Sequence, residues 1–556
     1  MDTLVATQQY IHEMARLAGP GMKVLTSMIT CAIAQSEMMT KEVYLFELID
    51  VLAEREPLKF LKCVVFLRPT PENLQLLSEE LRNPKYGQYY LYFSNIISKA
   101  DLKILAEADE YEVVREVHEF YMDSIPLAPH LSVTAMPLCY ESTFTLSLPN
   151  FRRCIQALLA LCLQFKKKPA IRFQKSCKDA QRLSEEFVKM TVREDKLFES
   201  CRSDTVIVIM DRSEDPVSPL LNQWTYEAMV HELIGLKNNR VNAPEEGLKN
   251  IVLSAQHDEF YAKNRYLNFG EIGHNIQVLI NEYQKNFKTH QEVESITDMK
   301  RFIDQYPQFK KIAGTTSKHV LLVSELSKIV NSQNLLETSE LEQSIVAVGD
   351  HSQCLDKLKR LLQNEKTTNL NALRLAMLYA LRWENSNSNA LSSITDLLKK
   401  RGVTTRQIES IQTLLKYAGT RRRHSDLFGT KSAGEIMKRV IKNVKGVENV
   451  YTQHEPYIAQ IIEQLMRGRL NEAAFGASDP VCLNTRYDNI VIFIIGGATM
   501  EESAYVNSIN EKRLTNPGMP KVLLASTCIH NTKSFIDQLV QLTPEYSNVA
   551  SFASVA

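Results

Sequence analysis

Apolar and polar positions divide this chain into two kinds of segment. The first kind is a short, unbroken apolar run, which reads as a strand buried on both faces. Such runs occur at 22–25 (MKVL), 61–67 (LKCVVFL), 89–94 (YYLYFS), 206–210 (VIVIM), 490–495 (IVIFII) and 521–527 (KVLLAST). PTPENLQLLSEEL, between the second and third runs, has helical spacing and opens with Pro69 and Pro71. That is a βαβ rhythm and predicts a parallel sheet with helices on its faces. The stretch from Asp101 to Tyr121 reads as one helix, with Leu102 and Leu105, then Val113 and Val117, a turn apart. Ile155 to Phe165 and SEEFVKMTVREDKLFES predict two more helices.

The second kind is helical periodicity without strands. After Leu236 the chain turns polar (KNNRVNAPEEGLKN), and to about Arg469 the pattern is almost wholly helical. It covers Ile276–Ile280, Met299–Tyr306, Ser317–Val330, Ser339–Val346, Leu373–Leu381 and Ile408–Tyr417. Ser339 and Glu342 have the spacing of a capping box. No constant period runs through the region, so a solenoid is not expected. Pro307 and Gly314 interrupt YPQFKKIAGTTSKHVLLVSELSKIV. The interruption reads as two short helices joined by a turn, or as a hairpin with bent and extended forms of similar energy. Because strands resume near residue 490, a helical domain is expected to be inserted into the second α/β domain. The expected division is domain one at 1–131, domain two at 132–240 and 478–556, and helical domain three at 241–477.

The run at 206–210 leads into the chain's most distinctive stretch, TVIVIMDRSEDPVSPLLNQWTYEAMVHELIGL, from Thr205 to Leu236. Pro216 and Pro219 keep the segment after the strand extended. A helix follows from Trp224, with Gly235 as its stop. The end of a parallel strand is where α/β enzymes keep their chemistry. Asp211 and Asp215 could there hold a metal or move protons, which would make the chain a metal-dependent hydrolase. The plainer reading is that Arg212 pairs with both carboxylates and pins the loop. No cysteine nucleophile or glycine-rich loop lies nearby. Gly496-Gly497 follows a strand, yet neither nucleotide-loop motif occurs in the chain. No catalytic residue, metal or cofactor is expected.

Composition narrows the class. With 556 residues the chain exceeds a single core. It carries 65 basic and 65 acidic residues, so no net charge draws it to nucleic acid or an anionic surface. Its ten cysteines are scattered without a C-x-x-C and read as reduced thiols. The N-terminus predicts an amphipathic helix ended by Gly-Pro-Gly rather than a signal peptide. No run of about 18 apolar residues exists to span a bilayer, so membrane association is expected through partners. The basic run RRRH at 421–424 reads as solvated surface.

The pattern D-R-x-x-D-x-x-S-P-L-L-x-x-W-T-Y-x-x-M-x-x-E-L, from Asp211 to Leu233, resembles the signature of the Sec/Munc (SM) family. DEFYAKNRYLNFGEIG (258–273), YPQFKKIAGTTSKH (306–319), GVENVYTQHEP (446–456) and IIGGATMEESAYV (494–506) extend the resemblance over nearly the whole chain. It implies a three-domain arch and a non-enzymatic protein that binds a syntaxin-type SNARE and promotes SNARE assembly and vesicle fusion. The branch resembled serves traffic among the trans-Golgi network, endosomes and the vacuole or lysosome, so the implied location is cytoplasmic and peripheral on Golgi and endosomal membranes. The implied partners are the syntaxin-family SNARE resident there, a vesicle SNARE and the assembled bundle. A syntaxin N-terminal peptide site in domain one falls on Leu102 and Glu119. A hinge falls on Pro307, and the vesicle-SNARE contact falls on Val320, where SKHV matches the family's S-x-H-apolar pattern. After Leu25 the chain runs short of the family pattern by about one strand, roughly five to six residues, which implies a truncated or replaced first strand. A tether that holds membranes without handling SNAREs is the third class of function that the residues allow.

Overall fold

The computed structural model describes residues 1–26, 38–47, 49, 56–141, 143–243, 248–291, 296–347, 349–425, 427–428, 454–479 and 485–544. At 283, 285–291 and 296–312 it describes the backbone alone. The first sheet holds β1 (Lys23–Thr26), β2 (Val43–Glu47), β3 (Leu58–Leu67), β4 (Tyr86–Phe93) and β5 (Val114–Glu119), all parallel, in the order β2-β1-β3-β4-β5. The unbroken apolar run of β3 follows from burial on both faces. Cys63 and Val65 pack with Leu74, Leu77 and Leu81 of the Pro71–Arg82 helix. Val64 and Phe66 pack on the other side with Ile11 and Met14 of the N-terminal Thr3–Leu17 helix. β1 is present between β2 and β3, and at four residues it is short.

The stretch 101–121 is not one helix. Its helix, Lys99–Ala108, stops where the Asp109 carboxylate captures the amides of Val113 and Val114 at 2.9 and 3.0 Å. Such a side-chain acceptor competes with the helical ladder. Val117 is then an exposed position on edge strand β5, and its four-residue spacing from Val113 has no helical meaning.

The second sheet takes strands from both ends of the chain. β6 (Ile125–Ala128), β7 (Leu131–Val133), β8 (Ala170–Gln174) and β9 (Thr205–Asp211) come first. A small hairpin of β10 (Arg240–Val241) and β11 (Ile251–Val252) stands apart. β12 (Phe475–Ala477), β13 (Asn489–Ile495) and β14 (Lys521–Ser526) complete the order β12-β8-β9-β13-β14-β7-β6. The expected boundary at 131 therefore falls inside this sheet. β9 and β13 are parallel neighbours buried along their whole length. β8 escapes a search for apolar runs because it carries Arg172, whose buried guanidinium donates to the carbonyls of Phe475 and Gly476 on β12. The two sheets meet at Asp123, whose buried carboxylate takes Arg68 at 2.8 Å and Arg153 at 2.7 Å.

Between β11 and β12 the described chain is helical: Glu259–Asn264, Phe269–Gln291, Ile296–Ser332, Leu335–Val346, His351–Gln363, Asn369–Arg382, Leu391–Lys400, Thr405–Ala418 and Tyr457–Met466. Two expectations change here. Ile296–Ser332 is one helix of 37 residues, about 55 Å long at 1.5 Å per residue, and it runs unbroken through Pro307 and Gly314. This is the extended arrangement, with no turn between two short helices. Ser339 and Glu342 do not form a capping box, because the Leu335–Val346 helix begins four residues earlier, after Asn334. Their side chains serve the site described next.

Candidate functional site

The Asp211–Leu236 segment threads the middle of the molecule, and its polar side chains reach several other elements. β9 delivers Asp211, and two 3-10 turns, Arg212–Glu214 and Ser218–Leu220, keep the prolines out of any α-helix. Asp211 accepts the Ser213 amide at 2.8 Å and the Tyr140 hydroxyl at 2.5 Å. Burial raises its carboxyl above the ordinary range, against those two donors. Asp215 accepts the amides of Val217, Ser218 and Tyr457 and the Ser218 hydroxyl, at 2.6 to 3.2 Å. Burial opposes its charge, and Arg212, His454 and these donors overcome that, so it stays below the ordinary range.

Arg212 has no exposed surface; its charge supports Asp215, but its hydrogen-bond partner is neither aspartate expected from the sequence. Its Nη2 donates to Glu502 at 2.5 Å, from the helix that follows Gly496-Gly497. Glu502 also accepts the Thr499 amide at 2.8 Å in a true capping box. Burial lifts the Glu502 carboxyl to about 7 against the pull of Arg212. The only sequence signal for this pairing was the Thr499-x-x-Glu502 spacing, 290 residues away.

Glu214 accepts the amides of His424 and Ser425. Asn222 meets Ser339, Glu342 and Arg374 at 2.8 to 3.1 Å, and Trp224 donates its indole N–H to Ser339. Arg374, itself buried, holds Glu342 at 2.8 Å. Tyr226 meets His319 at 2.7 Å, and Glu227 accepts the Tyr261 hydroxyl at 2.8 Å and faces Arg265 at 3.3 Å. The quoted motifs at 258–273, 306–319, 446–456 and 494–506 thus all touch the central segment, through Tyr261, His319, His454 and Glu502.

This is a polar spindle locking a strand, a helical domain and the C-terminal helices together. Each oxygen of Asp211 and Asp215 is taken up by an internal donor, so the metal-dependent hydrolase loses the open carboxylate pair it needs. Among the described residues, no group of three or more His, Cys, Asp or Glu side chains is arranged to hold a metal ion.

The other expected positions lie on separate surfaces. Leu102 is half-buried against the first-sheet core. The next exposed apolar side chain on its helix is Ile104, at 50%. Glu119, at the end of β5, accepts the Ile97 amide and the Tyr121 hydroxyl, both at 2.9 Å. It thereby ties the start of the Leu102 helix to the strand end. On the long helix, Val320 is half-buried and packs on the core shared with Leu322 and Leu326. Leu321, the outward apolar residue at 40% exposure, went unnoticed in the sequence because 100° per residue separates it from its neighbour. Pro307 lies within the helix, far along the chain from this contact.

A family model described as the Sec1 family matches residues 23–538. The chain belongs to the Sec1 family. Among curated relatives, vacuolar protein sorting-associated protein 45 of Mus musculus is 47% identical over 97% of this chain and 96% of its own length. The Arabidopsis thaliana homolog of that protein is 37% identical over 97% and 98%. Among solved structures, the SM protein Vps45 in complex with the Qa SNARE Tlg2 (1-310) superposes with a TM-score of 0.89 at 41% identity, covering 98% of both chains. The Unc18–syntaxin 1 complex from Monosiga brevicollis, at 19% identity and a TM-score of 0.79, shares the fold. The chain is therefore an α/β Sec1-family arch, with two parallel-sheet domains and a helical domain. No helix among the described residues is long and apolar enough to cross a membrane.

Proposed function

We propose that this chain is a non-enzymatic SM protein that binds a syntaxin-type SNARE and promotes SNARE assembly and vesicle fusion in trans-Golgi, endosomal and vacuolar or lysosomal traffic. The observation that carries this reading is the full-length likeness, at 41% identity, to an SM protein solved with its Qa SNARE. The internal use of the Asp211 and Asp215 carboxylates supports a scaffold in place of a catalyst. The chain acts peripherally on Golgi and endosomal membranes and reaches them through its partners. In this reading the syntaxin N-terminal peptide docks on domain one beside Leu102 and Glu119. The vesicle SNARE and the assembling bundle meet the long helix near Val320 and its exposed neighbour Leu321, and Pro307 governs how readily that helix stays extended. Domain one is taken to end after β5, domain two to hold the second sheet, and domain three to be the helical insert.

Co-purification with tagged candidate syntaxins tests the reading. One trans-Golgi or endosomal syntaxin should be retained by the wild-type chain. Leu102→Arg should weaken capture of that syntaxin's N-terminal peptide, because it places an unpaired charge against an apolar core. Since Leu102 also packs inward, Ile104→Arg is the companion variant, with the same expected loss and less effect on folding. Retention of no syntaxin would sink the reading in favour of a SNARE-independent tether.

A further inference from the structure

The buried stripe of the Ile296–Ser332 helix is Thr316, His319, Leu322, Leu326 and Val330. His319 is fully buried in it, and each ring nitrogen has its own partner. Nδ1 lies 2.7 Å from the Tyr226 hydroxyl, and Nε2 lies 2.9 Å from the Asp258 carboxylate. Asp258 is fixed in turn, since its other oxygen accepts the Tyr261 amide at 2.9 Å and caps the Glu259–Asn264 helix. Lys318 reaches the same carboxylate. Phe260 and Tyr261 close over the ring, with centroids at 4.7 and 6.4 Å. Burial lowers the His319 pKa, against the attraction of Asp258. The neutral ring satisfies both bonds, with Nε2–H donating to Asp258 and Nδ1 accepting from Tyr226.

Leu322, Leu326 and Val330 are near-interchangeable apolar contacts. Sliding the helix by one turn, about 5.4 Å, would exchange one aliphatic contact for another at little cost. The same slide would break the bond between His319 and the Tyr226 hydroxyl in an apolar interior and would take His319 and Lys318 from the Asp258 carboxylate, which is costly. A buried polar group that fits one place only is a register device. Opposite the stripe, Ser317, Leu321, Ser324 and Lys328 face outward. Leu321 is 40% exposed, and Val278 on the adjacent Phe269–Gln291 helix is 42% exposed.

We propose that His319 is a positioning residue: its bridge between Tyr226 and Asp258 sets the register and rotation of the long helix, and so holds Leu321 outward for an apolar-striped partner helix. The proposal rests on the functional reading above, in which that partner is the vesicle SNARE. It also divides the helix. Residues from Thr316 onward are fixed by the bridge, so a change at Pro307 or Gly314 alters how far the N-terminal part extends the face and leaves the rotation of Leu321 as it is.

The test measures capture of an isolated vesicle-SNARE cytosolic region by the full chain, beside capture of the syntaxin N-terminal peptide and the melting temperature. His319→Leu fills the stripe with another apolar side chain and removes the bridge. It should lower the melting temperature modestly, because Tyr226 and Asp258 each lose a partner, leave peptide capture unchanged and lower vesicle-SNARE capture by about tenfold. His319→Gln keeps a donor for Asp258 and should recover part of that loss. Should His319→Leu fail to fold, Tyr226→Phe, which deletes only a hydroxyl, should give a several-fold loss. Leu321→Arg separates the two ideas. If Leu321→Arg abolishes capture while His319→Leu and Tyr226→Phe capture like the wild type, the positioning role is overturned and the face remains. If Leu321→Arg captures like the wild type, the face is unused, and both the face and the positioning role fall.

Discussion

Four buried histidines show how single residues set the chain's response to acid. Burial pushes His130 and His530 down to about 3 and His231 down to about 4, and it also lowers His319. Arg265 beside His130 and Arg212 beside His530 add to the effect. An unfolded histidine titrates near about 6.5, so below that pH the unfolded chain takes up protons that the folded chain refuses. The stability they contribute is complete above about 6.5 and is lost as pH falls toward the folded values, at about 1.4 kcal/mol per pH unit per proton. Glu502 acts in the opposite sense. Its folded value of about 7 lies above the unfolded one, so its contribution is present at low pH and lost as pH rises through 7. The difference between variant and wild type isolates one group from the sum. His231→Leu should flatten the fall in melting temperature between pH 6.5 and 5 relative to the wild type. Parallel profiles for the two proteins would show that His231 titrates normally in the folded state.

At the scale of elements, turns and helix ends carry the specificity. Gly235 ends the signature helix at φ +105°, with no atom within 4 Å of where a side chain would start. Gly497 has φ +97°, and a Cβ there would stand 2.1 Å from His530 Cδ2. Gly235→Ala should therefore cost the backbone strain alone, about 1–2 kcal/mol. Gly497→Ala should cost strain plus overpacking, about 2–5 kcal/mol. Denaturant titration of the two variants reads the difference, and equal losses would refute the close approach. The long helix makes the reverse case. An interior proline removes one hydrogen bond and crowds the carbonyl four residues back, a penalty of about 3 kcal/mol, yet the helix runs straight through Pro307. Pro307→Ala should relieve that penalty in the extended form. If a bent form competes, even half the penalty shifts the ratio about tenfold. Vesicle-SNARE capture should then rise while syntaxin-peptide capture stays constant. Capture equal to the wild type would show that no bent form competes in solution.

For the whole molecule, the central segment packs and bonds the helical insert to the second sheet and the last helix. Val217, Leu220 and Leu221 pack into the core of the helical insert together with Phe535, Ile536 and Leu539 of the last helix. Arg374, Asn222 and Glu342 tie the same insert to the signature by buried polar bonds. The first sheet is held separately, by Asp123 between Arg68 and Arg153 and by Thr3, whose hydroxyl donates to the Ala128 carbonyl at 2.6 Å. The two proposed SNARE surfaces thus stand on different supports. Damage at Leu102 or Ile104 in the first domain should leave capture on the long helix intact, and damage at Leu321 should spare the first domain.

Local pattern was enough for the strands buried on both faces, the crossover helix at Pro71–Arg82, the inserted helical domain and the family signature. Apolar runs, proline placement and motif spacing are properties of neighbours in sequence. It misread the 101–121 stretch because a four-residue valine spacing cannot reveal that Asp109 holds the amides that end the helix. It missed β8 because a buried arginine looks polar until its carbonyl partners on β12 arrive from 303 and 304 residues away. It assigned Ser339 and Glu342 to a cap and could not find the hydrogen-bond partner of Arg212 beyond the charge of Asp215, when the bonds are made to Asn222, Trp224, Arg374 and Glu502. Proline and glycine propensities argued for a break that the long helix does not have. In each case a buried polar group is satisfied only when distant segments meet, and its partner is therefore fixed by the tertiary fold and not by the residues beside it.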